Sequence, residues 1–337
     1  MFPRRSVVNK ITNLQQSTHS MISDAEIQKQ LSNVLTETSF DFLGNKYTGK
    51  VRDNYVAGDR RILITSDRLS CFDVVVTSIP FKGQVLNQMA VHWFEMTKDI
   101  IDNHLLDVPD PNVMVVKNCQ TLPVEVVVRG YLAGSAFRDY HSGKAISGIS
   151  LPAGLKSGQK LPEVIITPST KAAKGAHDMP ISEAEILSKG LVDKKLWQQA
   201  KDVALALFRR GSERADTQGL ILVDTKYEFG LFENKLLLVD EIHTLDSSRY
   251  WRKGTYPQRF SAGESPEMLD KEPTRQWLLS QGYKGEGVIP AFSDSHRIEI
   301  AKHYISSYET IVGAAFSGSV GSVRDRIEKA LREAFKA

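Results

Sequence analysis

Two short apolar segments that each end in acidic residues constrain the fold of this chain more than any other feature. Residues 222–230 and 238–242 have this character, and polar residues 233–235 between them are typical of a turn. The pattern predicts an antiparallel hairpin. Because side chains alternate along a strand, Lys226 and Glu228 are expected on one face, and Glu228 and Asp240 are expected to face one pocket. Such carboxylates suit Mg²⁺, which commonly uses one or two of them with substrate phosphates. A solvent-facing hairpin with ordinary surface charges is the alternative.

Composition excludes several classes of protein. The chain has 337 residues, 41% of them hydrophobic, and at about 100–200 residues per domain it is expected to form two lobes. The net charge of +3 is too small to indicate a nucleic-acid partner. Cys71 and Cys119 have no disulfide or metal-site pattern and are predicted to be core thiols in a reducing compartment. No apolar run approaches the roughly 18 residues of a membrane span, so we expect a cytoplasmic protein without a membrane partner.

The N-terminal segment allows two interpretations. Residues 1–23 contain Arg4, Arg5 and Lys10 but neither Asp nor Glu, a composition typical of an organelle transit peptide. Alternatively the segment is an arm that leads into a helix, because residues 23–26 form a capping-box pattern. We predict an N-terminal extension of arm plus helix over residues 1–39.

Apolar periodicity predicts an α+β fold in two lobes with antiparallel sheets, the first over residues 40–120 and the second, with closing helices, over 121–337. Short apolar segments alternate with turns in the first lobe. Predicted strands are 46–51, 61–65, 74–79, 113–116 and 124–128; predicted helical regions are 86–101, 182–210 and 296–337, the last with two helices. Residues 147–168 are rich in Gly, Pro and Ser and are expected to form a long surface loop.

Residues 49–55 place a glycine and two cations, Lys50 and Arg52, where a strand meets a turn. Backbone N–H groups and basic side chains at such a point can surround phosphates. In an extended segment the two cations would point the same way. A solvated turn explains these residues at least as well, because the segment has no Walker A pattern.

Residues 123–135 run from a buried strand into a turn. Arg129 stands at this transition, where it can bind phosphate through two hydrogen bonds, and Ser135 can add a hydroxyl. A buried structural ion pair is the alternative role of Arg129. Glu125 lies among valines, where an unpaired carboxylate is costly, so it needs a lysine, a metal-bound water or a nucleotide group as a partner. A purely structural pair would also satisfy it.

Three other segments are ambiguous. Residues 66–73 and 246–251 each gather acid, hydroxyl and arginine groups, and either can be only a hydrogen-bonded turn. The pair His177 and Asp178 near Lys171 and Lys174 is more typical of a surface loop. No serine or cysteine has a nucleophile-elbow context, so the sequence gives no support to acyl-enzyme chemistry.

Six motifs together resemble the SAICAR synthetase family of purine biosynthesis. They occur in the family's order over residue 40 to the C-terminus as GKVRDNY, SDRLSCFD, PVEVVVRGYLAGSAFRDY, TPSTK, LVDTKYEFG and LVDEIHTLDSSRYW. The resemblance implies an ATP-dependent ligase that joins L-aspartate to the carboxylate of carboxyaminoimidazole ribonucleotide (CAIR), giving SAICAR, ADP and phosphate through an acyl phosphate. It also implies two α+β lobes with ATP in the cleft, the first lobe binding ATP and the second binding substrate and metal, in a monomer or small homo-oligomer.

The resemblance further implies roles for individual residues. Glu228 and Asp240 would hold Mg²⁺ and also contact ATP. The other expected ATP contacts are Lys50, Arg52, Asp53, Lys82, Glu125 and Val128. The expected substrate contacts are Arg129, Ser135, Arg249, Asp67 and Ser70, with Ser169, Thr170, Lys171 and Asp178 as candidates for the aspartate site. The expected catalytic residues are Lys226, Arg249 and Asp224.

Three departures from the family pattern are residues 1–39, Cys71 in place of a small residue, and Leu245 in place of a common proline. Two other functions fit parts of the sequence. A small-molecule kinase would use similar lobes and carboxylates, but the His-Arg-Asp catalytic loop is absent. A nucleotide-binding regulatory protein would not need the retained Lys226, Glu228 and Asp240.

Overall fold

The computed structural model describes residues 22–171 and 178–335. Lys174, His177 and the arm over residues 1–21 lie outside them. The strands are β1 (Asn45–Thr48), β2 (Arg52–Ala57), β3 (Arg60–Thr65), β4 (Arg68–Cys71), β5 (Val74–Ser78), β6 (Leu105–Asp110), β7 (Val113–Lys117), β8 (Gln120–Thr121), β9 (Val124–Tyr131), β10 (Lys160–Ile166), β11 (Ser169–Thr170), β12 (Leu220–Phe232), β13 (Lys235–Val239) and β14 (Ser248–Arg252). The helices are α1 (Asp24–Gln30), α2 (Lys82–Met96), α3 (Gly134–His141), α4 (Glu183–Ser188), α5 (Lys194–Thr217), α6 (Tyr256–Ser261), α7 (Glu272–Ser280), α8 (Asp294–Val312) and α9 (Val323–Ala334).

The chain divides into two compact units that are not contiguous in sequence. Within the described residues, the first unit comprises 22–92, 105–118 and 272–335, and the second comprises 93–104 and 119–271. This division differs from the predicted lobes, because the closing helices belong to the first unit instead of the second. The physical reason is local: Arg326 on α9 forms an ion pair with Asp110 on β6, with Nε 2.7 Å from Oδ2.

The first unit contains a five-stranded antiparallel sheet in the order β1-β2-β3-β7-β6 and the β4-β5 pair. Ile62 and Ile64 alternate on β3 and lie opposite valines of β7, so one sheet face is apolar. On α9, Ile327 and Leu331 recur at helical spacing and pack in the same core. The predicted antiparallel first sheet is therefore confirmed.

Helix boundaries follow the predicted pattern with shifts. The capping box at the start of α1 is present, since the Ser23 and Glu26 side chains each accept a backbone N–H of the other residue. Helix α2 begins and ends earlier than the predicted 86–101. Helices α8 and α9 match the two expected near the C-terminus.

The second unit is built on a seven-stranded sheet in which β12, 13 residues long, pairs with β8, β9, β13 and β14. The predicted β12-β13 hairpin is confirmed. Its two turn residues, Glu233 and Asn234, have φ of 50° and 60°, the backbone of a tight turn that matches strand twist. Both cysteines are buried, as predicted. In the part of the chain that the structure describes, no helix has the length and apolar character needed to cross a membrane.

Candidate functional site

One face of the sheet in the second unit carries six of the predicted site residues. Alternation along β12 puts Asp224, Lys226 and Glu228 on the same face. The neighbouring strand β9 runs antiparallel, with Asp224 opposite Arg129 and Lys226 opposite Val127. Alternation along β9 then adds Glu125 to that face. Residues far apart in sequence are therefore brought together by strand register.

Arg129 and Arg249 meet on the Asp224 carboxylate. Oδ2 of Asp224 accepts hydrogen bonds from Nη1 of Arg129 at 2.8 Å and from Nη1 of Arg249 at 2.6 Å. Asp224 on β12 stands in register with both arginines, one on β9 and one on β14. Arg129 thus makes the buried ion pair that was the alternative to phosphate binding. One carboxylate shared by two guanidinium groups leaves the cluster with an excess positive charge.

The remaining donors of Arg129 extend this cluster. Nε donates to Oγ1 of Thr167 at 2.8 Å, and Nη2 lies 3.4 Å from Oγ of the exposed Ser135. Burial lowers the pKa of Arg129, although Asp224 opposes this shift. No local sequence pattern indicated Thr167 as a partner of Arg129, although it lies near the end of the predicted surface loop over residues 147–168.

Gly134 leaves the space that Arg249 occupies. It has φ of +58°, and a Cβ on it would lie 2.2 Å from Nη2 of Arg249. Both the left-handed backbone and the close approach favour glycine here. Because Gly134 begins α3, backbone N–H groups of the helix start lie next to the arginine cluster. The arrangement can bind a phosphate group.

A second cluster surrounds Lys226. Its Nζ donates to Oε1 of Glu125 at 3.0 Å, forms an ion pair with Glu228 and lies 3.8 Å from Oδ2 of Asp240. Lys171 also forms an ion pair with Glu228. Three carboxylates therefore share two ammonium groups, which leaves room for further positive charge. The predicted same-face placement of Lys226 and Glu228 is confirmed, and the expected partner of Glu125 is a lysine.

The carboxylates in this cluster have different affinities for protons. Burial raises the pKa of Glu125 to about 7, with Lys226 opposing the shift. Burial also disfavours charge on Glu228, but Lys226 and Lys171 outweigh it and hold its pKa below the usual range. Burial opposes charge on Lys226 as well, while Glu228 and Glu125 raise its pKa well above the usual value. Glu228 is thus an anion and Lys226 a cation at neutral pH.

Glu228 and Asp240 provide hard oxygen donors that fit Mg²⁺. Asp240 directly follows β13 and has φ of 71°, a left-handed backbone that is uncommon for a residue other than glycine. No group of three or more His, Cys, Asp or Glu side chains suited to a metal occurs within residues 22–171 and 178–335.

Two of the four residues predicted for the aspartate site, Ser169 and Lys171, belong to the Lys226 cluster. Ser169 donates from Oγ to Oε2 of Glu125 at 3.3 Å, and Lys171 reaches Glu228. Thr170 instead lies 3.4 Å from the backbone carbonyl of Met179. Asp178 is exposed, and its charge helps to raise the pKa of Glu125.

The predicted phosphate contacts of the first unit occupy a turn and a strand. β1 ends at Thr48, so Lys50 lies in the turn before β2. Lys50 and Arg52 were expected to point the same way only if the segment that contains both were extended, and it is not. Nζ of Lys50 is 2.5 Å from Oδ1 of Asp73, and both side chains are about half exposed. Arg52 is half-buried on β2.

Several other predicted contacts are buried within their units. Asp53 accepts from Thr38 and pairs with Arg68, whose Nη2 is 3.0 Å away. Asp67 accepts backbone N–H groups on both carboxylate oxygens, and burial raises its pKa to about 6. Ser70, Lys82 and Val128 are also buried. Nζ of Lys82 lies over the Tyr304 ring. Alternation places Val128 on the sheet face opposite Glu125 and Arg129. Their direct contact with ligands stays a prediction.

This chain is similar to known proteins of one family. The family model described as SAICAR synthetase matches residues 45–291. A phosphoribosylaminoimidazole-succinocarboxamide synthase of Legionella pneumophila (strain Lens) is 48% identical over 303 residues, covering 87% of this chain and 96% of the Legionella protein.

Two solved structures show a similar fold. A Saccharomyces cerevisiae SAICAR synthase complexed with SAICAR is 32% identical with a TM-score of 0.74, and the match covers 84% of this chain and 100% of the yeast chain. A SAICAR synthetase in complex with ADP is 25% identical with a TM-score of 0.63, covering 81% and 100% of the two chains. The segment matched by the family model, residues 45–291, includes both the cluster around Asp224 and the cluster around Lys226. The chain belongs to the SAICAR synthetase family.

Proposed function

We propose that this chain joins L-aspartate to the carboxylate of CAIR at the expense of ATP, giving SAICAR, ADP and phosphate. Membership of the SAICAR synthetase family makes it an amide-forming ligase of purine biosynthesis. The observation that carries the proposal is the single sheet face on which a cationic cluster at Asp224 neighbours an anionic cluster at Lys226. A substrate phosphate fits the cationic cluster, and the magnesium that accompanies the phosphates of ATP would fit the anionic cluster around Lys226.

The cationic cluster is proposed to bind the ribonucleotide phosphate. Arg129 and Arg249 supply guanidinium groups held by Asp224, and Ser135 supplies an exposed hydroxyl. Because Asp224 fixes both arginines, they need little reorganisation when the phosphate arrives. Asp224 therefore acts on the reaction by positioning these arginines.

The anionic cluster is proposed to face the reacting carboxylate and the ATP phosphates. A carboxylate becomes an acyl donor when one oxygen takes the terminal phosphoryl group of ATP. The aspartate amine then attacks the carbonyl carbon, the C–N bond forms and phosphate leaves with that oxygen. Lys226 neutralises charge on the transferring group. Glu228 and Asp240 would hold Mg²⁺, which when bound neutralises phosphate charge.

The remaining residues are assigned supporting roles. We propose that Lys50 and Arg52 bind nucleotide phosphates, since both are cationic and neither is fully buried. Ser169 and Lys171 are proposed to contact L-aspartate, because a carboxylate of that substrate can replace Glu228 as a partner of Lys171.

Release of ADP by the purified protein with Mg-ATP tests the proposal, with CAIR and L-aspartate omitted in turn. The expected result is ADP release and amide formation only when both are present. ADP release with CAIR alone would indicate one of two activities. The protein would either phosphorylate the CAIR carboxylate without completing the ligation, or act as a kinase. Retention of ATP without release under any condition would favour a regulatory binding protein. A parallel assay of Asp240→Asn controls for a contaminating ATPase.

A further inference from the structure

The turn after β13 contains two residues with left-handed backbone. Asp240 has φ of 71° and His243 has φ of 53°. Residues other than glycine rarely adopt this backbone conformation, and it persists only where the surrounding structure holds it. The proposed metal ligand Asp240 therefore depends on whatever fixes this turn.

The side chain of His243 is packed from several directions. It is fully buried, and the Trp93 ring lies nearly perpendicular to it, with ring centroids 4.5 Å apart. Gly211 of α5 faces the ring, where an added Cβ would lie 2.3 Å from Cε1. The Tyr250 hydroxyl donates to the backbone carbonyl of His243 at 3.0 Å. Both the ring and the backbone of His243 are thus held in place.

The polar character of this buried ring needs an explanation. Among the described residues, Nδ1 has no hydrogen-bond partner, and a buried unpaired nitrogen destabilises a fold. Phenylalanine would fill a similar space without that cost. The other ring nitrogen, Nε2, is hydrogen-bonded to the hydroxyl group of Tyr227, with 2.5 Å between the nitrogen and the oxygen.

Tyr227 connects this hydrogen bond to the proposed site. It lies between Lys226 and Glu228 on β12, and alternation sends its side chain to the opposite sheet face. The hydrogen bond between His243 and Tyr227 therefore joins the turn that carries Asp240 to the strand that carries Lys226 and Glu228. It does so on the sheet face opposite these two side chains.

We propose that His243 is a positioning residue that fixes the Asp240 carboxylate relative to Glu228 through its hydrogen bond to Tyr227, while Gly211 preserves space for its ring. The inference rests on the proposed function, specifically on Glu228 and Asp240 as metal ligands. Some residues orient metal ligands without contacting the metal. Replacing such a residue typically lowers metal affinity or activity by about 10–100-fold.

Binding of Mn²⁺, used in place of Mg²⁺ and followed by electron paramagnetic resonance with ADP present, tests this role without turnover. His243→Phe, Tyr227→Phe and Gly211→Ala are each expected to weaken Mn²⁺ binding by about 10-fold or more. His243→Gln is expected to recover part of the affinity, because its amide nitrogen can reach the position of Nε2. Glu213→Ala, at an exposed position of the same helix, is the matched control and should bind Mn²⁺ like the unaltered protein.

The outcomes separate this inference from the proposed function. Unchanged Mn²⁺ binding by Asp240→Asn would remove the proposed metal ligand and with it the basis of the inference. Weaker binding by Asp240→Asn, with unaltered binding by folded Tyr227→Phe, would overturn the positioning role alone. Tyr227→Phe retains the aromatic ring and its packing, so it remains informative if a His243 variant does not fold.

Discussion

Acidification should destabilise the second unit through His243, and His243→Phe should remove this effect. Burial lowers the pKa of the His243 ring from 6.5 to about 3. Between these values the unfolded chain binds a proton that the folded chain does not, so stability is fully present above pH 6.5 and is lost as pH falls. One pH unit in this window corresponds to about 1.4 kcal/mol. From pH 8 to pH 5 the loss due to this ring is about 2 kcal/mol.

Urea unfolding at pH 8 and pH 5, followed by tryptophan fluorescence, measures this difference. Trp93, Trp197 and Trp251 are buried in the second unit, so they report on the surroundings of His243. The free energy of unfolding of His243→Phe, relative to the unaltered protein, is expected to rise by about 2 kcal/mol on going from pH 8 to pH 5.

A matched control is available beside the same residue. Tyr250→Phe removes the hydrogen bond to the His243 carbonyl, and burial raises the pKa of Tyr250 far above the range tested. It should lower stability by a similar amount at both pH values. If the stability difference for His243→Phe were the same at pH 8 and pH 5, the ring would not be held neutral in the interior and the reasoning would fail.

Three further substitutions test the two clusters. Lys226→Ala should lower turnover by at least about 10²–10³ with folding retained, measured by steady-state ADP release and circular dichroism; near-normal turnover would remove Lys226 from the catalytic residues. Asp224→Asn leaves Arg129 and Arg249 without their shared anion and should destabilise the protein by about 3–5 kcal/mol in urea, with partial recovery in inorganic phosphate; equal stability would mean that the pairing contributes little. Gly134→Ala should displace Arg249 and raise KM for the ribonucleotide more than it lowers kcat, and the opposite split would contradict a phosphate-binding role.

Local sequence patterns predicted one part of the site well. The apolar and acidic alternation of the hairpin placed Lys226 and Glu228 on one face because side-chain alternation depends only on neighbouring residues. The need for a partner of Glu125 also followed from burial alone. That partner is Lys226, 101 residues further along the chain.

Long-range register was beyond the reach of these patterns. Asp224 binds two arginines because three strands align at one point, and no local pattern predicts that alignment. The same limit applies to the closing helices, which belong to the first unit through contacts such as Arg326 with Asp110. The left-handed backbone of Asp240 was also missed, because aspartate gives a much weaker signal for this conformation than glycine.

The charged face of β12 is better explained by chemistry than by stability. Buried ion pairs cost much of their attraction in lost hydration, and apolar replacements of similar size often stabilise a protein. The opposite face of the same strand shows that an apolar solution is available here, since Tyr227 and Phe229 are buried on it. A chain selected only for stability would have little reason to place Asp224, Lys226 and Glu228 on the other face. Their presence, together with two arginines held by one carboxylate, is expected of a site that is prepared to bind phosphate and cations before the substrates arrive.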